Sequence, residues 1–195
     1  MVLSGYSAAD LWMVPKSQPV QLTLTAHGQS LSVGKAPGES IEHLLMKGLV
    51  WALYLPQYPD AVCELDLETL ELNRPEREAG FGRATYRRYR PDVAALPPSG
   101  GGVPCWWAEC GSVSMKKLGV LARELPGTRL TVAKWARSDL SGYASSLRRE
   151  LSGEPRGKRI SPFELISFPA DSAERFLSDD GEVSITLDDV DIIQV

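Results

Sequence analysis

Residues 105–118, CWWAECGSVSMKKL, decide the fold because they join a buried strand to a helix through a short turn. The run 103–110 is apolar apart from Glu109, which predicts a strand, and the serines after it can cap a helix that ends near Glu124. A carboxylate inside such a strand is costly to bury alone. Glu109 therefore needs a lysine, an arginine or a metal ion beside it.

On both sides of this stretch, segments with the alternating apolar pattern of strands and segments with the apolar periodicity of helices follow one another along the chain. Predicted helices occupy 39–55, 112–124, 138–151 and 171–177. Predicted strands occupy 20–26, 31–34, 63–72, 86–96, 103–110, 128–135 and 163–168, and 182–187 with 190–195 form a closing hairpin. This order predicts an α/β protein with a central mixed β-sheet, helices on both faces and peripheral β-hairpins.

Length and charge limit the class of protein. The 195 residues, 43% of them hydrophobic, predict one domain spanning 1–195 with a full core. The formal net charge of −4 argues against a general nucleic-acid binder. Residues 171–195 carry eight acids and one arginine, whereas 74–90 and 129–159 are basic, so a local basic surface is compatible with the acidic total.

The cysteines and the terminal segment predict a cytoplasmic location. Cys63, Cys105 and Cys110 are odd in number and lack a C-x-x-C pair, which favours free thiols in a reducing compartment. The first residues lack the basic and apolar blocks of a secretory signal, and the apolar helix at 44–55 is too short to cross a bilayer. We therefore expect no membrane partner.

Two carboxylates and two lysines are the candidates for chemistry. Asp92 lies on the strand predicted to pair with that of Glu109, so both carboxylates can point at one spot and hold Mg²⁺. Lys116 and Lys117 follow in the first turn of the next helix, where a cation opposes the helix dipole unless an anion is near. Two acids, a metal and a lysine suffice for hydrolysis of a phosphodiester.

These residues resemble a known signature. Pro91-Asp92, then Glu109-x-Gly111, then Lys116-Lys117 resemble a variant of the PD-(D/E)XK nuclease motif. The surrounding chain is similar to the YaeQ family of small bacterial proteins. Four segments of this chain resemble that family's pattern. They are the helix ESIEHLLM (39–46), the strand WAECG (107–111), the lysine-containing MKK (115–117) and the acidic segment after 179–181.

The resemblance implies a restriction-endonuclease-like fold and a hydrolase. By it, Asp92 and Glu109 would bind Mg²⁺ or Mn²⁺, and Glu39 or Glu42 would be an auxiliary acid. The usual signature lysine would stand at Gly111, so Lys116 or Lys117 would have to replace it. The expected substrate is DNA or RNA.

Each of these residues also has a structural interpretation. Glu109 can be a core glutamate paired with a lysine or arginine. Arg87, Arg88 and Arg90 interleave with tyrosines. This pattern suits contacts to phosphates and bases, but it equally suits the protection of an edge strand against aggregation. His27 and His43 look too isolated for a histidine-based site, and Cys110 has no histidine nearby in sequence.

Two other functions compete with a nuclease. One is a non-catalytic domain that binds nucleic acid or protein and retains the nuclease fold, as Gly111 and the negative net charge suggest. The other is a protein-interaction module that uses the acidic segment 179–195, with a partner that the sequence does not identify.

Overall fold

The computed structural model describes residues 2–3, 11–65, 85–99, 102–152 and 161–195. The strands of these ranges are β1 (Val2–Leu3), β2 (Val20–Ala26), β3 (Gln29–Lys35), β4 (Val62–Cys63), β5 (Val93–Ala95), β6 (Trp106–Cys110), β7 (Arg129–Trp135), β8 (Phe163–Phe168) and β9 (Asp191–Gln194). The helices are α1 (Ile41–Tyr54), α2 (Met115–Glu124), α3 (Leu140–Leu151) and α4 (Ser172–Phe176).

A six-stranded mixed sheet, in the order β4-β5-β6-β7-β8-β9, forms the centre of the described protein. β6, β7 and β8 are parallel, whereas β4–β5, β5–β6 and β8–β9 pair antiparallel. Because the three parallel strands point the same way, their carboxyl ends meet at one edge of the sheet. The expected α/β class with a central mixed sheet is confirmed.

Helices cover both faces of this sheet. Alternation along β6 sends Trp106 and Ala108 toward α1 and Trp107 toward α2 and α3. α1 is buried almost all round, as its apolar sequence predicts, and begins at Ile41 after an N-cap at Ser40. α2 and α3 bury one face each and begin after caps at Ser114 and Asp139.

A buried carboxylate on β8 ties α1 to the sheet. Glu164 is 3% exposed and accepts hydrogen bonds from Tyr54 on α1, from Arg129 on β7 at 2.6 Å, and from Gln194 on β9. Three elements therefore meet at one acid near the amino end of β8, the end opposite to the one where the three parallel strands finish.

The three-stranded sheet β1-β2-β3 contains the predicted N-terminal hairpin, β2 and β3. The segment after α4 joins it through backbone hydrogen bonds between Thr25 and both Gly181 and Val183. Gly181 has φ +86°, and an added Cβ would lie 2.7 Å from the carbonyl oxygen of Thr23. Only glycine fits this close approach without strain.

The strand predicted at 86–96 is mostly wrong. Residues Thr85–Arg88 form a 3₁₀ turn and only Val93–Ala95 is a strand. The amide of Tyr86 donates to Glu124 on α2, which draws this segment away from the sheet, and Pro91 cannot donate to a ladder. β5 is also not an edge, because β4 pairs with it.

The closing hairpin predicted from 182–187 and 190–195 is wrong as well. Val183 bridges Leu177, whereas β9 pairs with β8. A 3₁₀ turn at Leu187–Asp189, with a capping box between Thr186 and Asp189, turns the chain between these two pairings. The acidic segment 179–195 is therefore divided between two sheets.

Several sequence predictions lie outside the described residues: strand residues 66–72, the Arg- and Gly-containing stretch 73–84, loop residues 100–101 and the basic loop 153–159. The side chain of Arg87 is also outside them. No helix among the described ranges is long and apolar enough to cross a membrane. Cys63, Cys105 and Cys110 are free thiols.

Candidate active site at the carboxyl end of β6

Asp92 and Glu109 occupy opposite positions on two neighbouring strands. Val93 lies opposite Ala108 in the antiparallel pair β5–β6, so Asp92, one residue earlier, stands opposite Glu109. The amide of Asp92 extends this ladder by donating to Ala108 at 3.1 Å. The two residues predicted as metal ligands are therefore neighbours where β6 ends, although their side chains are held from opposite sides of the sheet.

Glu109 is held by one lysine and one indole. Its side chain points to the α2 face, where it is 5% exposed. Lys117 Nζ lies 2.6 Å from Oε2, and Trp107 Nε1 donates to Oε1 at 2.7 Å. Burial raises the pKa of the Glu109 carboxyl, although the charge and hydrogen bond of Lys117 oppose the rise and the charge of Asp92 adds to it.

Asp92 is held from the other side of the sheet. His43 Nε2 on α1 lies 3.0 Å from Oδ1, and the amide of Cys110 donates to Oδ2 at 2.7 Å. Burial raises the pKa of the Asp92 carboxyl, but these two hydrogen bonds and the charge of Lys47 outweigh burial, so the pKa is lowered overall. Asp92 and Glu109 therefore differ in how strongly each holds its negative charge.

A polar stripe of Glu39, His43 and Lys47 starts just before the α1 cap and continues along one side of α1. These residues are spaced four apart, and His43 and Lys47 share a helix face. Lys47, 2% exposed, places Nζ 2.6 Å from both Glu39 and Glu64. Burial lowers the pKa of Lys47, but the two carboxylates outweigh it and raise the pKa overall. His43 lies 3.5 Å from Glu39, which links the stripe to Asp92.

Lys134 is a buried lysine on the Glu109 face. It is 7% exposed on β7, and its ammonium donates to the carbonyl oxygen of Gly111 and lies 4.3 Å from the Tyr143 ring centroid. Burial, with a smaller contribution from the charge of Arg137, lowers the pKa of Lys134 to about 8. The position of the absent signature lysine is thus contacted by a lysine from the neighbouring strand.

The other predicted site residues take different places. Glu42 is on α1, but no described residue forms an ion pair or hydrogen bond with its side chain. Lys116 is exposed, in contrast to its neighbour Lys117. Arg90 donates from Nε to the carbonyl oxygen of Glu64 at 2.9 Å, and Arg88 is exposed. Glu39 precedes the α1 cap rather than forming its first turn.

Comparisons with known proteins support the fold. No protein-family model and no curated protein matches the chain. The chain is similar to the crystal structure of the YaeQ protein from Pseudomonas syringae, at 12% identity and a TM-score of 0.51, over 84% of this chain and 78% of that one. The chain has the YaeQ fold. A YaeQ protein from Xanthomonas axonopodis pv. citri is also similar, at 14% identity and a TM-score of 0.47, over 90% and 89% of the two chains.

Asp92 and Glu109 carry the type of ligand group that a hard divalent cation takes. Mg²⁺ is commonly held by one or two carboxylates plus water, and Asp92 and Glu109 supply two. Within the described ranges, no group of three or more His, Cys, Asp or Glu side chains is placed to hold a metal ion. All four carboxylate oxygens accept from protein donors. Metal binding would therefore compete with Lys117 and His43.

Sequence reasoning missed four residues of the site. The sequence predicts no site role for His43, which looks isolated, and none for Lys47, Glu64 or Lys134. The repeat of Glu39, His43 and Lys47 at intervals of four, inside an apolar helix, is a signal that could have found two of them. Glu64 and Lys134 carry no such signal, because only the fold brings them to this place.

Proposed function

We propose that this chain is a divalent-metal-dependent phosphodiesterase that acts on nucleic acid. The observation that carries the proposal is the neighbouring positions of Asp92 and Glu109 at the end of β6, with Lys117 at 2.6 Å from Glu109. Asp92 and Glu109 would hold Mg²⁺ or Mn²⁺, which when bound would polarise a phosphoryl oxygen and make a bound water more acidic. The YaeQ fold supports the proposal only at the level of architecture.

The chain's own residues divide the remaining tasks. Lys117 has an ammonium that can leave Glu109 and hold a phosphate oxygen. His43 orients Asp92 through its hydrogen bond to Oδ1. Glu39 neutralises Lys47 and lies within 3.5 Å of His43, so it acts by holding the helix stripe in place.

Positive groups near the site favour a phosphate-containing substrate. Lys117 Nζ lies 5.2 Å from the ring centroid of Tyr89, which is partly exposed and can stack on a base. Arg90 is exposed and bonds to Glu64, close to Lys47. These residues suit a single strand of DNA or RNA at the site. The free thiols favour a cytoplasmic location for this activity.

A calorimetric Mn²⁺ titration combined with a cleavage assay tests the proposal. The variants are Glu109→Gln, Lys117→Met and the matched control Lys116→Met, each checked for folding by circular dichroism. We expect Glu109→Gln to lose Mn²⁺ binding and cleavage of labelled DNA and RNA oligonucleotides. Lys117→Met should keep Mn²⁺ binding, because a competitor for Glu109 is removed, but cleave about a hundredfold more slowly.

Lys116→Met is the control for Lys117→Met. Lys116→Met should match the wild type in both assays, because Lys116 is exposed and contacts none of the site residues described. A wild-type protein that neither binds Mn²⁺ nor cleaves any oligonucleotide would refute the proposal. So would a Glu109→Gln variant that cleaves at the wild-type rate.

A non-catalytic nucleic-acid-binding domain is the second candidate. The full set of protein donors to Asp92 and Glu109 favours it, because carboxylates satisfied in this way need no metal. This candidate predicts oligonucleotide binding that weakens with salt, is unchanged by Mn²⁺ and is not followed by cleavage. Mn²⁺-dependent cleavage would eliminate it.

A further inference from the structure

Tyr143 on α3 has a buried hydroxyl group without a hydrogen-bond partner among the described residues. The residue is 8% exposed. A buried hydroxyl that lacks a partner is unfavourable, so such groups in folded proteins usually bond to a residue, a water or a ligand. The hydroxyl is therefore the feature of this region that most requires an explanation.

Two cations flank the same ring. The Lys134 ammonium lies 4.3 Å from the ring centroid of Tyr143, and the Arg137 guanidinium carbon lies 5.1 Å from it. Like charges this close repel each other in a buried setting. Both also interact favourably with the ring face, which explains how they are held but does not neutralise them.

No described carboxylate forms an ion pair with either cation. The acid that interacts electrostatically with Lys134 is Glu109, whose oxygens already accept from Lys117 and Trp107. Lys134 donates only to the carbonyl oxygen of Gly111, and Arg137 donates from Nε to the carbonyl oxygen of Asp139 at 3.1 Å. Positive charge is thus concentrated at the ring that carries the unpartnered hydroxyl, and an anion is the kind of ligand that two cations and a hydroxyl donor favour.

We propose that Lys134, Arg137 and Tyr143 form a phosphate-binding subsite next to Glu109. Lys134 and Tyr143 supply buried donors, and the exposed Arg137 connects them to solvent. The subsite lies where β6 and β7 end, the same sheet edge as the candidate active site. Its role in holding a phosphate of the substrate rests on the proposed phosphodiesterase, whereas its affinity for phosphate does not.

Titration with inorganic phosphate, followed by calorimetry without metal, tests the subsite. The key variant is Tyr143→Phe, which removes only the hydroxyl and should leave the fold intact. We expect about a tenfold or greater loss of phosphate affinity, the usual effect of deleting a hydrogen bond to a charged group. Lys134→Met should reduce binding at least as much. Ser145→Ala, on the exposed side of α3, is the matched control and should bind phosphate like the wild type.

The outcomes separate this subsite from the proposed enzyme. Equal phosphate affinity in the wild type and Tyr143→Phe, or no phosphate binding by the wild type, would overturn the subsite. Phosphate binding that depends on Tyr143 in a protein that cleaves no oligonucleotide would uphold the subsite and refute the phosphodiesterase. Cleavage that is unaffected by Tyr143→Phe, in a protein that binds no phosphate, would uphold the phosphodiesterase and refute the subsite.

Discussion

Two buried glutamates on the same sheet have opposite kinds of environment. Glu164 is 3% exposed and Glu109 is 5% exposed, so burial alone does not distinguish them. Glu164 accepts from donors on α1, β7 and β9, which are far apart in sequence. Glu109 accepts from Trp107 on its own strand and from Lys117, eight residues along the chain.

The different donors of Glu164 and Glu109 indicate different roles for the two buried carboxylates. Glu164 cross-links elements that are distant in sequence through a guanidinium, a phenol and an amide. Glu109 has donors only from its own strand and the helix that follows, and its one cationic partner is the Lys117 ammonium, which another cation or a phosphate can draw away. We infer that Glu164 serves stability and that Glu109 is available for chemistry.

The largest expected effect is the loss of stability in Glu164→Gln. All three side chains around Glu164 donate to it, so replacing one carboxylate oxygen by an NH2 group removes at least one of these hydrogen bonds and leaves the Arg129 guanidinium without its carboxylate partner. We expect the free energy of unfolding to fall by about 3 kcal/mol, at the low end for a broken buried pair because Arg129 is partly exposed. Urea unfolding measures this. A loss below about 1 kcal/mol would remove the distinction between the two sites.

The matching change, Glu109→Gln, should destabilise the protein less. Its amide oxygen can still accept from Trp107, and Lys117, whose side chain is 20% exposed, can turn toward solvent. We expect a loss of about 1 kcal/mol in the same urea experiment. A loss as large as that of Glu164→Gln would mean that Glu109 is also a structural cross-link.

A pH series sharpens the comparison within the site. The pKa of Glu109 is raised from 4.5 on folding, so the native state binds more protons than the unfolded state just above pH 4.5, and stability falls as pH rises there. The stability of Glu109→Gln relative to the wild type should therefore improve as pH rises above 4.5.

The same series should give the opposite trend for Asp92→Asn. The pKa of Asp92 is lowered from 3.8, so its stabilisation is present above that pH and is lost as pH falls through the folded value. The stability deficit of Asp92→Asn should be greatest near neutral pH and shrink toward acid. Parallel curves for the two variants would contradict the two pKa directions.

The smallest expected effect is that of Lys116→Met. Lys116 is exposed, whereas its neighbour Lys117 is bound to Glu109. We expect the free energy of unfolding to change by less than about 0.5 kcal/mol, as is usual for surface substitutions. A larger change would indicate that the two lysines share a role that their contacts do not explain.

Much of the fold could be predicted from sequence periodicity. The strand around Glu109, the helix after it and the apolar α1 have patterns that depend on neighbouring residues, and each lies where it was predicted. The predictions failed where distant contacts decide the conformation. Tyr86 bonds to Glu124 instead of joining the sheet, and β9 pairs with β8 rather than with the segment before it.

The candidate site was predictable only in part, for a similar reason. Asp92 and Glu109 were found because their strands are neighbours both in sequence and in the sheet. Glu64 and Lys134 reach the site through the pairing of β4 with β5 and of β6 with β7, which no local pattern encodes. The roles assigned to all these residues stay predictions until the variants are measured.

The place of β9 has a consequence for folding during synthesis. β9 covers the outer edge of β8 and carries Gln194, one of the donors to Glu164. While the ribosome still holds these residues, β8 has an open edge and Glu164 lacks a donor, so the nascent sheet is exposed to wrong pairing. The pairing of β9 with β8 in the central sheet can form only after β9 has left the ribosome.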